Sequence, residues 1–155
     1  MLQYPKEYVM TSGSGVASQK LVAFDKALVD AGISNYNLLK VSSILPIGCE
    51  RKSKVDKKQG SALLTAYATI TSDEIGTTIS TAVAVGIPER ESDVGVIMEF
   101  SGKCSADEAV ATVKQMVIEA MHNHNIPCAT VDVTFAEGTV QGEGYLTLIS
   151  ALSMW

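Results

Sequence analysis

Six runs rich in β-branched and aromatic residues, at positions 37–41, 63–71, 78–85, 94–100, 129–135 and 145–152, do not alternate with helical segments. That arrangement excludes a doubly wound parallel sheet, which needs a helix after nearly every strand, and predicts an α+β layered domain with largely antiparallel pairing. Turn clusters separate the runs: Ser72-Asp73-Glu74-Ile75-Gly76, Pro88-Glu89-Arg90-Glu91 and Glu137-Gly138. Only two segments carry a helical stripe. The first covers 18–31, with Leu21, Phe24 and Leu28 on one face and Gly32 as its stop. The second opens on Ser105-Ala106-Asp107-Glu108, a capping box, and runs on through Val110, Val113, Val117 and Met121 to fray at His122-Asn123-His124-Asn125 before Pro127. With 155 residues and no repeat or linker, a single domain spanning 1–155 is expected.

Charge and cysteine usage exclude several function classes. The net charge is −5 and the basic residues gather only at Arg51-Lys52-Ser53-Lys54, too narrow a footprint for nucleic acid. No apolar run reaches the ~20 residues of a membrane span, and the N-terminus does not read as a signal peptide. Cys49, Cys104 and Cys128 are odd in number and far apart, as reduced thiols of a cytoplasmic protein would be. His122 and His124, two apart at a helix end, do not make a metal site, so none is expected. Thr11-Ser12-Gly13-Ser14-Gly15 lacks the endings of phosphate-binding loops and reads as a flexible turn before the first helix. No Gly-x-Ser-x-Gly elbow anchors a hydrolase triad.

Taken as pattern alone, Asn37-Leu38-Leu39-Lys40-Val41-Ser42-Ser43-Ile44-Leu45-Pro46 is a strand whose end carries two serines and a proline. Its surroundings say more. Ala23-Phe24-Asp25-Lys26-Ala27-Leu28, then Ala31-Gly32-Ile33, then Asn37-Leu38 and Val41-Ser42-Ser43-Ile44-Leu45-Pro46 resemble the pyruvoyl-dependent arginine decarboxylases. The resemblance extends, in order, to Thr11–Gly15, to Gly76-Thr77-Thr78-Ile79-Ser80, and to Ile97-Met98-Glu99-Phe100 followed by Gly102-Lys103-Cys104-Ser105. Ser34 and Ile47 depart from it, standing where members often carry glycine and a second turn residue.

Decarboxylating an amino acid leaves electrons on its α-carbon that no ordinary side chain accepts, so an electrophilic cofactor is required. The sequence has no phosphate cradle to hold a borrowed one. The resemblance implies a pyruvoyl group made from Ser43 when its hydroxyl attacks the Ser42 carbonyl. That would leave a β chain of residues 1–42 and an α chain of 43–155. It further implies that Asn37 polarises the Ser42 carbonyl, although a turn asparagine at a strand start is an equal reading of the residue itself. Glu99 matches the family's proton donor. Independently, it interrupts the apolar run Val94-Gly95-Val96-Ile97-Met98, where a carboxylate is costly unless functional, paired or turned out to solvent. Asp25 matches the residue that meets the substrate guanidinium, with Leu21 one turn earlier to wall its aliphatic stem; an ordinary solvated helix aspartate is the alternative. The resemblance also implies a four-layer αββα sandwich, a homotrimer with sites between neighbours, and arginine as substrate, giving agmatine and CO2. The same chemistry on histidine, or an unprocessed ligand-binding relative, are the rival readings.

Overall fold

The computed structural model describes residues 2–155. Strand β1 (Glu7–Ala17) leads into helix α1 (Lys20–Asp30), then β2 (Asn37–Lys40), β3 (Ile44–Leu45), β4 (Glu50–Arg51), β5 (Ala62–Ser72), β6 (Thr78–Pro88) and β7 (Gly95–Gly102). Helix α2 (Ala106–Asn123), β8 (Cys128–Thr139) and β9 (Tyr145–Met154) complete the order. One sheet runs β2-β5-β9-β1-β4 and the other β3-β7-β6-β8. Pairing is antiparallel except for β1 with β4 and β2 with β5.

The sheets face each other across a core of Tyr8, Met10, Leu45, Ala66, Val83, Val85, Ile97, Leu152 and Met154. Helix α1 covers the outer face of the five-stranded sheet through Ala27, followed by Ala31 and Ile33 just past its end, against Ile149 and Ala151 of β9. Helix α2 covers the other sheet through Ala109, Val113, Val117 and Met121 against Ala82, Ala84 and Val96. The result is the expected αββα sandwich.

The two helices form for local reasons. Ser105 accepts from the Glu108 N–H while the Glu108 side chain accepts from the Ser105 N–H, closing the capping box of α2. At the end of α1, Ile33 N–H donates to the Leu28 carbonyl and Gly32 N–H to that of Val29, with Gly32 at φ 75°, the left-handed position a Schellman ending requires.

Two expectations need correction. Residues 11–15 are not a turn but the middle of β1. Their glycines serve packing: a Cβ at Gly13 would lie 2.6 Å from the Ala31 nitrogen, and one at Gly15 2.6 Å from the Ala27 nitrogen. Side-chain-free positions let α1 settle directly on the strand. The helix stripe also splits, because Ala23 and Ala27 are buried with Phe24 and Leu28 beside them, whereas Leu21 is 78% exposed.

Polar groups between the sheets satisfy one another. Ser12 on β1 bonds Thr134 (2.7 Å) and Ser150 (2.8 Å), and Ser150 bonds Thr81 (2.8 Å). This chain of hydroxyls ties four strands of both sheets. Each partner avoids the ~1–3 kcal/mol of an unsatisfied buried hydroxyl.

Candidate active site

Ser42 and Ser43 lie where the chain changes sheets. Asn37–Lys40 pairs in parallel with β5, and Val41 extends that pairing by donating its N–H to the Thr65 carbonyl (3.1 Å). Three residues later, Ile44 already pairs with Val96 in the opposite sheet. The Ser43 carbonyl accepts from the Ile97 N–H at 2.7 Å. Neither the Ser42 carbonyl nor the Ser43 N–H has a backbone partner among the described residues. The peptide between the two serines is thus a free span anchored firmly at each end. Ser42 is exposed and Ser43 half-buried.

Glu99 sits on β7 opposite Val83. Alternation along the strand puts it on the same side as Ile97, two residues away, whose side chain fills the core between the sheets. It is half-buried, and burial pushes its carboxyl above the ordinary 4.5, with the positive charge of Lys40 pulling partly back. A carboxyl held this way keeps its proton longer than a solvated one, as a proton donor must. Ser43 and Glu99 are therefore brought to the same strand: the Ser43 carbonyl is bonded to Ile97, two residues from Glu99.

The other expected residues lie elsewhere on the chain. Asn37 is exposed at the start of β2, where its side-chain amide donates to the Gly60 carbonyl (2.9 Å). The extended residues between it and Ser42 separate the two by ~15 Å. Asp25 and Leu21 are exposed on the outward side of α1. Clefts of about 1090 and 530 Å³ lie against Trp155 and Glu7, and against Tyr145 and Asp73; neither is lined by Ser43, Glu99 or Asp25. In one chain, then, the six residues form two groups, Ser42–Ser43–Glu99 at the sheet crossing and Leu21–Asp25 on α1, with Asn37 apart from both.

Sequence reasoning missed Lys40, the charge that acts on Glu99, whose ammonium lies 4.6 Å from the centre of the Tyr67 ring. Its place three residues before Ser43 was the available signal. Cys49 stays outside this chemistry: burial first, and the Glu7 charge second, push its thiol up to about 11, an unreactive state.

A family model described as pyruvoyl-dependent arginine decarboxylase matches residues 7–155. The chain belongs to this family. It is 36% identical over 151 residues to the pyruvoyl-dependent arginine decarboxylase of Methanocaldococcus jannaschii, covering 97% of this chain and 90% of that protein. It is 41% identical over 138 residues to that of Thermococcus kodakarensis, covering 88% and 87%. Among solved structures it is similar to a pyruvoyl-dependent histidine decarboxylase, with TM-score 0.53 and 14% identity over 66% of this chain and 54% of the other. At that identity the likeness speaks for the fold alone. No helix of the described residues is long and apolar enough to cross a membrane, and no group of three potential metal ligands lies together among them.

Proposed function

We propose that this chain is a self-processing arginine decarboxylase of the cytoplasm. One observation carries the reading: in a member of this family, the Ser42–Ser43 peptide is left without backbone partners where the chain crosses between two anchored strands. The Ser43 hydroxyl adds to the Ser42 carbonyl, the C–N bond breaks, and an ester replaces the peptide. Loss of the Ser43 α-proton then expels the Ser42 carboxylate, leaving a dehydro residue at 43 whose tautomer takes up water and releases ammonia. One domain, 1–155, would thereby hold a β chain of 1–42 and an α chain of 43–155.

The residues present fit a pyruvoyl group at position 43. The bond from Ile97 holds the carbonyl that survives the cut, and no ladder bond of either sheet is lost with the peptide. When present, that group supplies the electrophilic carbonyl which takes the substrate amine and draws electrons from its α-carbon. The side chains do the rest. Asp25 holds the guanidinium, for which a carboxylate is the natural partner, and Leu21 flanks the aliphatic stem. Glu99, whose burial strengthens its hold on a proton, gives the one that the α-carbon needs once CO2 has left. The products are agmatine and CO2.

Asp25 and Leu21 are placed by this reading in the site of a neighbouring copy, within a homotrimer of processed protomers. The support is the outward face of α1, where Leu21 (78% exposed), Val22 and Val29 form an apolar surface around Asp25. Asn37 is assigned to orienting the Ser42 carbonyl across the same interface.

Intact-mass measurement tests the reading. Purified protein should resolve into fragments 1–42 and 43–155 and convert arginine, not histidine, to amine and CO2. Ser43→Ala should give one uncut mass and no turnover, and Ser42→Ala should still cut. A persistent full-length mass after long incubation would point instead to an unprocessed ligand-binding relative.

A further inference from the structure

The hydrogen bond from Ile97 to Ser43 has a role beyond holding the strand. The proposed cut severs the peptide before Ser43 and leaves the Ser43–Ile44 peptide intact, so the residue-43 carbonyl remains opposite the Ile97 N–H. After processing, that carbonyl is conjugated directly with the electrophilic carbon derived from Ser43. We infer that the Ile97 N–H is a prepositioned donor for the negative charge that builds as CO2 departs, an inference that rests on the function proposed above.

The electron balance is simple. The pair from the breaking bond between the substrate's α-carbon and its carboxylate stays behind, and part of its charge reaches the residue-43 oxygen through the conjugated path. When Glu99 delivers its proton, the pair enters the new C–H bond and the charge on that oxygen disappears. No oxidant or reductant is needed.

The geometry suits the task. At 2.7 Å the bond is at the short end for N–H···O pairs. Ile97 is fully buried, its side chain locked in the core between the sheets. Its strand is fixed on one side by β6, at Val85, and on the other by β3 through Ile44↔Val96 and Leu45↔Gly95. A donor held on both sides need not reorganise when charge develops, which is the condition under which such donors accelerate reactions most. Asn37 and Asp25 offer no equivalent within the chain, since one is bonded to Gly60 and the other lies on α1.

The test has two arms. In isotope-labelled, processed protein, nuclear magnetic resonance should show a through-hydrogen-bond coupling between the Ile97 nitrogen and the residue-43 carbonyl carbon. In the second arm, Ile97 is replaced by the α-hydroxy acid with the same side chain, so that an ester oxygen stands where the N–H was. This variant should still cut by intact mass, and its kcat should fall about tenfold or more while KM for arginine stays within about twofold. Absence of the coupling, or a cut ester variant with a kcat equal to wild type, overturns the assignment. Should the ester variant fail to fold, the coupling decides alone. An uncut wild-type chain would count against the functional reading itself, a result separate from either arm.

Discussion

Glu99 shows how one side chain's burial converts into reactivity and into a stability penalty. Its folded-state pKa is raised, chiefly by desolvation, so the folded protein holds this proton more tightly than the unfolded chain. The penalty is therefore absent below the ordinary carboxylate range, grows as pH rises toward the raised value, and levels off above it. Glu99→Gln removes the ionisation. It should raise the melting temperature at pH 7.5 more than at pH 4, yet lower turnover by something on the order of 10²–10⁴ without preventing the cut. Normal turnover in the processed variant would show that the proton comes from elsewhere. Asp25 answers a different question, substrate identity. Losing a charged partner should cost ~2–5 kcal/mol, so Asp25→Asn should lower kcat/KM for arginine at least tenfold with processing intact. Unchanged kinetics in a fully cut protein would remove the charge argument for arginine.

Among the elements, β1 and α1 depend most closely on each other. Gly13 and Gly15 bring the helix onto the strand, and the helix in turn covers the strand's open edge. Asp30 accepts from the Ser14 N–H (2.9 Å), and Lys26 donates to the Val16 carbonyl (3.0 Å). A methyl at Gly15 would run into the Ala23 carbonyl and the Ala27 nitrogen, both backbone atoms that cannot swing aside. Gly15→Ala should therefore destabilise the protein by about 1–3 kcal/mol in denaturant unfolding. Because α1 carries Asp25, arginine use should fall further than the stability loss explains. An alanine variant of wild-type stability would mean that the helix can lift off without penalty.

On the scale of the whole molecule, the cut is compatible with a single folded body. Fragment 1–42 contains β1, α1 and β2, and β1 pairs with β9 from Tyr8↔Met154 to Ala17↔Tyr145. Ser12 adds hydrogen bonds to Thr134 and Ser150 of the other fragment. The pieces should stay together under native conditions. The separation of Asp25 from Ser43 and Glu99 makes a sharper prediction about assembly. Co-expressed Asp25→Asn and Glu99→Gln chains, each impaired alone, should recover part of the wild-type rate, because a mixed trimer contains some sites with both residues intact. No recovery in mixed assemblies verified by mass would place the complete site within one chain.

Residue type and order determined much of this. Richness in β-branched and aromatic residues located six of the nine strands, and Ser105 with Glu108 located the start of α2, because strand propensity and capping are local chemistry. The ordered segments from Thr11–Gly15 through Ser42-Ser43 to Glu99 and Ser105 together suggested the family without any knowledge of the fold. Other features were not local. Glycines that read as a turn lie within β1, since what they accommodate is a helix closing on them from later in the chain. Spacing put Leu21 on one stripe with Phe24 and Leu28, yet the helix buries its alanines instead, because close approach to Gly13 and Gly15 leaves room only for small side chains. Only the tertiary structure decided that the Ser42–Ser43 peptide spans two sheets, and that the Ile97 N–H meets the Ser43 carbonyl. Hydrogen bonds between residues some fifty positions apart depend on which strands become neighbours, and no local pattern carries that information.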